Sequence, residues 1–342
     1  MSEKQPSLGS FVSRLPKVEL HLHLEGAVRP ETLRELARRK RRLERETEDW
    51  VRAREREHYR YGNFREFLDA FKLVTLLLET PEDYALATTR LLEELAKQNV
   101  KYAEIILAAG VILWKGQRLE AIFEAVREAA SEAGQRLGVR ASWIFDAIRH
   151  FGPAHVQAVA QWAARYRAQG VVALGIGGDE AQGPAEWFTE VYRQARAQGL
   201  HLLAHAGEAA GPESVRKAVE LLGAERIGHG LAAAQDPAVM ALLRERRIPL
   251  EVCPTSNVAT GVLTRLEDHP LPRFLEGGLV VTLNSDDPAM FGTRLVDEYG
   301  LAAKQWGLGR ETLASLCENS IRASFLPEEE KQSLLNELIR TE

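Results

Sequence analysis

Eight short apolar runs, each followed by a stretch of helical periodicity, constrain this 342-residue chain more than any other feature. The runs fall at residues 18–24, 102–108, 141–147, 171–176, 200–205, 226–229, 249–252 and 279–283, and they read as strands. Between them, segments such as 119–137, 154–168, 187–197 and 212–222 return apolar residues at three- and four-residue steps, the period of an amphipathic helix. Gly138, Gly170, Gly199, Gly223 and Gly278 stand near the helix-to-strand junctions, where glycine commonly closes a helix. Strand–helix alternation repeated eight times is the pattern of a closed parallel barrel, so the expected fold is α/β, a (β/α)8 barrel. An open doubly wound sheet is the alternative.

Two parts stand outside the alternation. Residues 26–100 separate the first two strands with helical pattern throughout, as an inserted lid would. Within them, residues 38–60 carry ten Lys/Arg against six Asp/Glu; mixed signs favour a solvated face or lid over a nucleic-acid patch. Phe64, Phe67, Phe71, Val74 and Leu78 follow at helical spacing and read first as core. Residues 311–342 read as terminal helices covering the barrel, so residues 1–342 form one domain. The formal net charge of −5 implies no general attraction to nucleic acid or to an anionic membrane. No run approaches the ~20 apolar residues of a membrane span, and residues 1–17 lack the apolar stretch of a signal peptide. Two cysteines, Cys253 and Cys317, make no disulfide framework. A cytoplasmic protein is expected.

The chemistry concentrates at strand ends. The first strand closes on His21-Leu22-His23-Leu24-Glu25-Gly26. Alternation along a strand puts His21, His23 and Glu25 on one face, and in a parallel barrel the C-terminal ends of strands gather the active site. His205-Ala206-Gly207-Glu208 closes the fifth strand, Gly228-His229-Gly230 the sixth, and Asn284-Ser285-Asp286-Asp287-Pro288 the eighth. Titratable residues interrupting apolar strands at the same end are costly to bury unpaired, so a metal or substrate is expected among them. Neutral imidazoles suit zinc, which in hydrolases takes about three protein ligands plus water. His58, His150, His155, His201 and His269 read as structural. No His-Glu-x-x-His, phosphate loop, dinucleotide fingerprint or nucleophile elbow is present.

In order along the chain, PKVELHLHLEGA, GIGGDE, HAGE, RIGHG, CPTSN and SDDP resemble the motifs of the adenosine deaminase family of the amidohydrolase superfamily. The resemblance runs from about Leu15 to Leu326. It implies one zinc per chain, held by His21, His23, His205 and Asp286. It implies further that Glu208 protonates purine N1 and that His229, with Asp286, orients the attacking water. Asp287 would contact N7, the Gly178 backbone N3, and Glu25 the ribose. The Cys253–Asn257 segment reads as structural. The implied reaction is hydrolytic removal of the 6-amino group from a purine nucleoside.

Glu25 departs from the pattern, because enzymes of this family acting on adenosine usually carry Asp there. Glutamate accompanies free adenine or modified nucleosides as substrates. Adenine enzymes, however, tend to carry Asp where this chain has Gly228, and a glycine there is expected to leave open space beside His229. The substrate implied is adenosine or a 5′-modified adenosine such as 6-aminodeoxyfutalosine, with free adenine behind them. Two other classes compete. A two-metal amidohydrolase would place a bridging lysine on the fourth strand, which has none. A catalytically silent purine-binding relative would have lost a ligand or the acid, and all are present.

Overall fold

The computed structural model describes residues 7–39, 61 and 64–341. Its eight strands are β1 (Lys17–His23), β2 (Val100–Leu107), β3 (Arg140–Ile148), β4 (Val171–Gly177), β5 (His201–Ala206), β6 (Arg226–His229), β7 (Leu250–Val252) and β8 (Val281–Leu283). They hydrogen-bond in sequence order, and every pair is parallel. The expected (β/α)8 barrel is the observed one, with strand boundaries shifted by one or two residues. Leu279 shows why. Its N–H donates to Phe274 O at 3.0 Å, so it closes the helix Leu271–Glu276 and β8 begins two residues later.

The seam between β8 and β1 is closed by irregular bonds. Asp286 N–H donates to His21 O at 3.1 Å and His23 N–H to Asp286 O at 2.8 Å. The Asn284 side-chain oxygen accepts from Leu20 and His21 N–H at 2.9 and 3.1 Å. A side-chain amide thus replaces the missing strand partner and holds the residues beyond β8 against the end of β1. The helix Arg310–Ala323 packs across the same seam.

β1 ends at His23. Leu24 is helical and Glu25–Ala27 form a 3₁₀ turn, so the alternation that put Glu25 beside His21 and His23 stops one residue too early for it. Between β1 and β2 lie the helices Pro30–Arg39, Phe64–Leu77 and Pro81–Lys97. The last opens on a Thr80–Asp83 capping box. Most of the charged segment 38–60 lies outside the described residues. Among the described residues, no helix is long and apolar enough to cross a membrane.

Candidate active site

Four imidazoles converge at the C-terminal ends of β1, β5 and β6. Ring centroids lie 4.6 Å apart for His21–His205, 4.9 Å for His21–His229 and 5.4 Å for His23–His205. Asp286 reaches in from beyond β8, its Oδ1 3.4 Å from the Nε2 of both His21 and His23. Glu208, after β5, places Oε2 3.6 Å from His229 Nε2. His229 and Asp286 hold φ of 62° and 64°, a left-handed conformation that costs a non-glycine residue of order 1–3 kcal/mol and concentrates at functional sites.

The electrostatics suit a cation. Burial pushes His23 and His229 down to about 4 and His205 well below its ordinary value, which leaves neutral rings with free lone pairs. Burial also opposes charge on His21, yet Asp286 and Glu251 raise it to about 10. Asp286 is held anionic, far below the usual carboxylate range, by His21 against its own burial. Buried carboxylates here draw positive charge to one point. His21 Nε2 is buried with no hydrogen-bond partner although Asp286 is close. Imidazole nitrogens, one of them orphaned, beside a carboxylate oxygen are the donor types that a divalent ion such as zinc takes.

The support for this cluster comes from residues that the sequence marks only faintly. Glu251 Oε2 lies 2.9 Å from His21 Nδ1, and its other oxygen accepts from Arg226 Nε at 2.5 Å. Arg226 is buried and also donates to Glu104 at 2.5 Å. Each is a charged residue interrupting an apolar strand, a signal of the same kind that marked the histidines. Ser256 Oγ donates to Asp286 Oδ2 at 2.6 Å, and Asn257 Nδ2 lies 3.1 Å from His229 Nδ1. The Cys253–Asn257 segment is therefore wired directly to the cluster. From the GIGGDE motif, Glu180 accepts the N–H groups of Gly207, Glu208 and Ala209 at 2.8–3.0 Å. That carboxylate sets the turn that presents Glu208.

Carboxylates behind metal-binding imidazoles typically contribute ten- to hundredfold to metal affinity. Glu251→Gln is accordingly expected to weaken zinc binding by that factor, read by competition with a chromophoric chelator. Unchanged affinity would remove Glu251 from this role.

Above the cluster lies a cavity of about 340 Å³. His23, His205, His229, Glu208, Asp286 and Asp287 line its depth. Phe67 and Phe71 of the lid helix cover it, so two of the residues read as core also face the ligand space; Val74 and Leu78 are fully buried. Trp114 and Phe151, stacked at 5.7 Å, stand at its edge. Burial, reinforced by Asp286, raises Glu208 and Asp287 well above the carboxylate range, and Asp287 Oδ1 has no partner. Gly26 is what admits Asp287: a Cβ at 26 would overlap its carboxyl. Gly178 takes φ +89°, and a Cβ there would meet His150 Nδ1 at 3.0 Å.

Three readings change. Glu25 is fully buried, its oxygens 3.2 and 3.4 Å from the Ala108 N–H, and it is not among the cavity's lining residues. No open space lies at Gly228, because a Cβ there would meet His21 Cε1 at 2.7 Å; the imidazole already fills it. His150, read as structural, lies in the cavity wall, as does Asp146 near the end of β3.

The sequence profile of the adenosine deaminase family matches residues 16–341. The chain belongs to the adenosine deaminase family. Members of this family are metal-dependent amidohydrolases, and this chain is a hydrolytic aminohydrolase of aminopurine-type substrates. It is 40% identical to an aminodeoxyfutalosine deaminase of Streptomyces avermitilis over 321 residues, 93% of this chain and 89% of that protein. It is 36% identical to an adenine deaminase of Chlorobium luteolum, covering 96% of this chain and 95% of the other. Among solved structures, a zinc-bound amidohydrolase from Burkholderia ambifaria superposes with a TM-score of 0.88 at 27% identity, over 99% of this chain and 95% of that one. The adenosine deaminase family thus accounts for the barrel, the strand-end histidines and the class of reaction.

Proposed function

We propose that this protein deaminates a 6-aminopurine nucleoside, adenosine or a 5′-modified adenosine, to the 6-oxo purine and ammonia, with one zinc ion held by His21, His23, His205 and Asp286. The observation that carries this reading is the pair of buried carboxyls, Glu208 and Asp287, which burial and the nearby Asp286 raise well above the ordinary carboxylate range, on one cavity with the histidine cluster. Two carboxyls shifted toward their protonated form can address two basic nitrogens of one purine ring. A zinc ion bound here supplies Lewis-acid activation of water at neutral pH.

Glu208 gives its proton to N1 as the water oxygen adds to C6, which lets charge leave the ring in the transition state. His229, neutral and anchored by Asn257, accepts a water proton and returns it to the departing amine. Asp287 donates to N7 and the Gly178 N–H to N3, so that only C6 faces the nucleophile. Trp114 and Phe151 line the same cavity of about 340 Å³ as the histidine cluster, a lining that favours a nucleoside over a free base. The relative at 40% identity, an aminodeoxyfutalosine deaminase, favours a nucleoside altered at its 5′ end. Both cysteines are buried and unpaired, in keeping with a cytoplasmic location.

The test is kcat/KM for adenine, adenosine, 5′-deoxyadenosine, 5′-methylthioadenosine and 6-aminodeoxyfutalosine, followed by loss of absorbance near the adenine maximum. A nucleoside is expected to lead. Free adenine as the best substrate would refute the nucleoside reading. With Glu25 turned onto the Ala108 amide, Glu25→Asp is expected to act on that turn before it acts on selectivity.

A further inference from the structure

Asp146 lies two residues before the end of β3 with only 4% of its surface exposed. Its Oδ1 is buried without a hydrogen-bond partner, yet the residue lines the cavity. The neighbouring strand is cut back to make room for it. A Cβ at Gly175 would stand 2.7 Å from Asp146 Oδ1, and one at Gly177 would stand 3.0 Å from Oδ2. A buried carboxyl with an orphaned oxygen costs free energy unless a ligand or water completes it.

The strand order says which part of a ligand meets it. Around a purine ring the outward nitrogens run N1, N3, N9, N7. With N1 at Glu208 after β5, N3 at Gly178 after β4 and N7 at Asp287 after β8, N9 points to the arc formed by β3, β2 and β1. That arc carries the sugar. Its carboxyls are Asp146 and Glu25, and Glu25 is engaged by the Ala108 N–H and absent from the cavity lining. His150 stands farther out, exposed beside Gly178. Arg149 turns its guanidinium onto the Gly183 and His205 carbonyls.

From this placement we infer that Asp146 is the sugar-recognising residue of the site, accepting a hydrogen bond from a ribose hydroxyl. The inference rests on the nucleoside reading above and assigns its specificity to β3 rather than to the turn after β1. A hydroxyl is the fitting donor because the buried carboxyl offers an acceptor oxygen that has no partner among the described residues.

The experiment compares kcat/KM for adenosine and its 2′-, 3′- and 5′-deoxy analogues in wild type, Asp146→Asn and Asp146→Ala, with zinc content measured for each protein. In wild type, removing the anchored hydroxyl is expected to cost roughly five- to hundredfold, the range for leaving a buried polar partner unsatisfied. Asp146→Ala is expected to abolish that one ratio while leaving the other two and the zinc content in place. Asp146→Asn, nearly isosteric and still an acceptor, is expected to retain part of it. An equal loss on every substrate, loss of zinc, or a wild type indifferent to all three hydroxyls would overturn the assignment. Deamination of adenine alone would overturn the nucleoside reading and this inference together. Deamination of nucleosides with unchanged ratios in both variants would overturn only the inference.

Discussion

Dialysis against a strong chelator is expected to abolish deamination, and one equivalent of zinc per chain to restore it. The charge and donor balance of the cluster calls for a bound cation. His23 and His205 are neutral, Asp286 is anionic, and His21 is drawn toward positive charge by two carboxylates. Among the described residues, three overlapping sets offer ligand atoms within 4.8 Å of one another: His21, His205 and His229; His21, Cys253 and Asp286; and His23, Asp286 and Asp287. Water alone is a poor nucleophile at neutral pH, and a bound divalent ion lowers its pKa from about 15.7 to about 7. Metal analysis giving two tightly bound ions, or a metal-free protein of full activity, would overturn the one-zinc reading.

Glu208→Gln is the second large effect expected: a fall in kcat of at least 10²–10⁴-fold, the usual worth of a general acid–base group, with zinc retained. Glutamine keeps the shape and a donor N–H but cannot release a proton to the ring. The backbone of residue 208 stays in place, since Glu180 holds it through the N–H at 3.0 Å. Burial is what raises Glu208 well above the carboxylate range, with Asp286 and Glu180 adding to it; the substitution removes the acidic proton without adding charge. Turnover near the wild-type rate would mean that N1 is protonated from elsewhere. Asp287, the other raised carboxyl of the cavity, would be the next residue to test.

The barrel is legible from the chain because its signals are local. Strand and helix periods are set by the geometry of one segment at a time, and all eight runs become strands. The strand-end histidines, Glu208 and the Asp286–Asp287 pair are legible for a related reason. Each is a titratable residue breaking an apolar run at the end that faces the site in a parallel barrel. Glu104, Glu251 and Asp146 carry the same mark, so their support of the site was within reach of that rule applied to every strand.

The directions of side chains where strands meet belong to another level. Glu25 lies two residues after His23, but the chain leaves the strand at Leu24, and the N–H of Ala108, the residue after β2, bonds its carboxyl. Gly228 looks like vacant space in one dimension; in three, the His21 ring from a strand far off in sequence already occupies it. Asp146 becomes a ligand-facing group only because Gly175 and Gly177 on the adjacent strand lack side chains. The sequence alone determined the elements, their order and the chemical types gathered at one end of the barrel, since these follow from short-range periodicity and the cost of burying polar groups. Which of those groups face the ligand was decided by tertiary structure, because it depends on register and close packing between strands that only the closed barrel brings together.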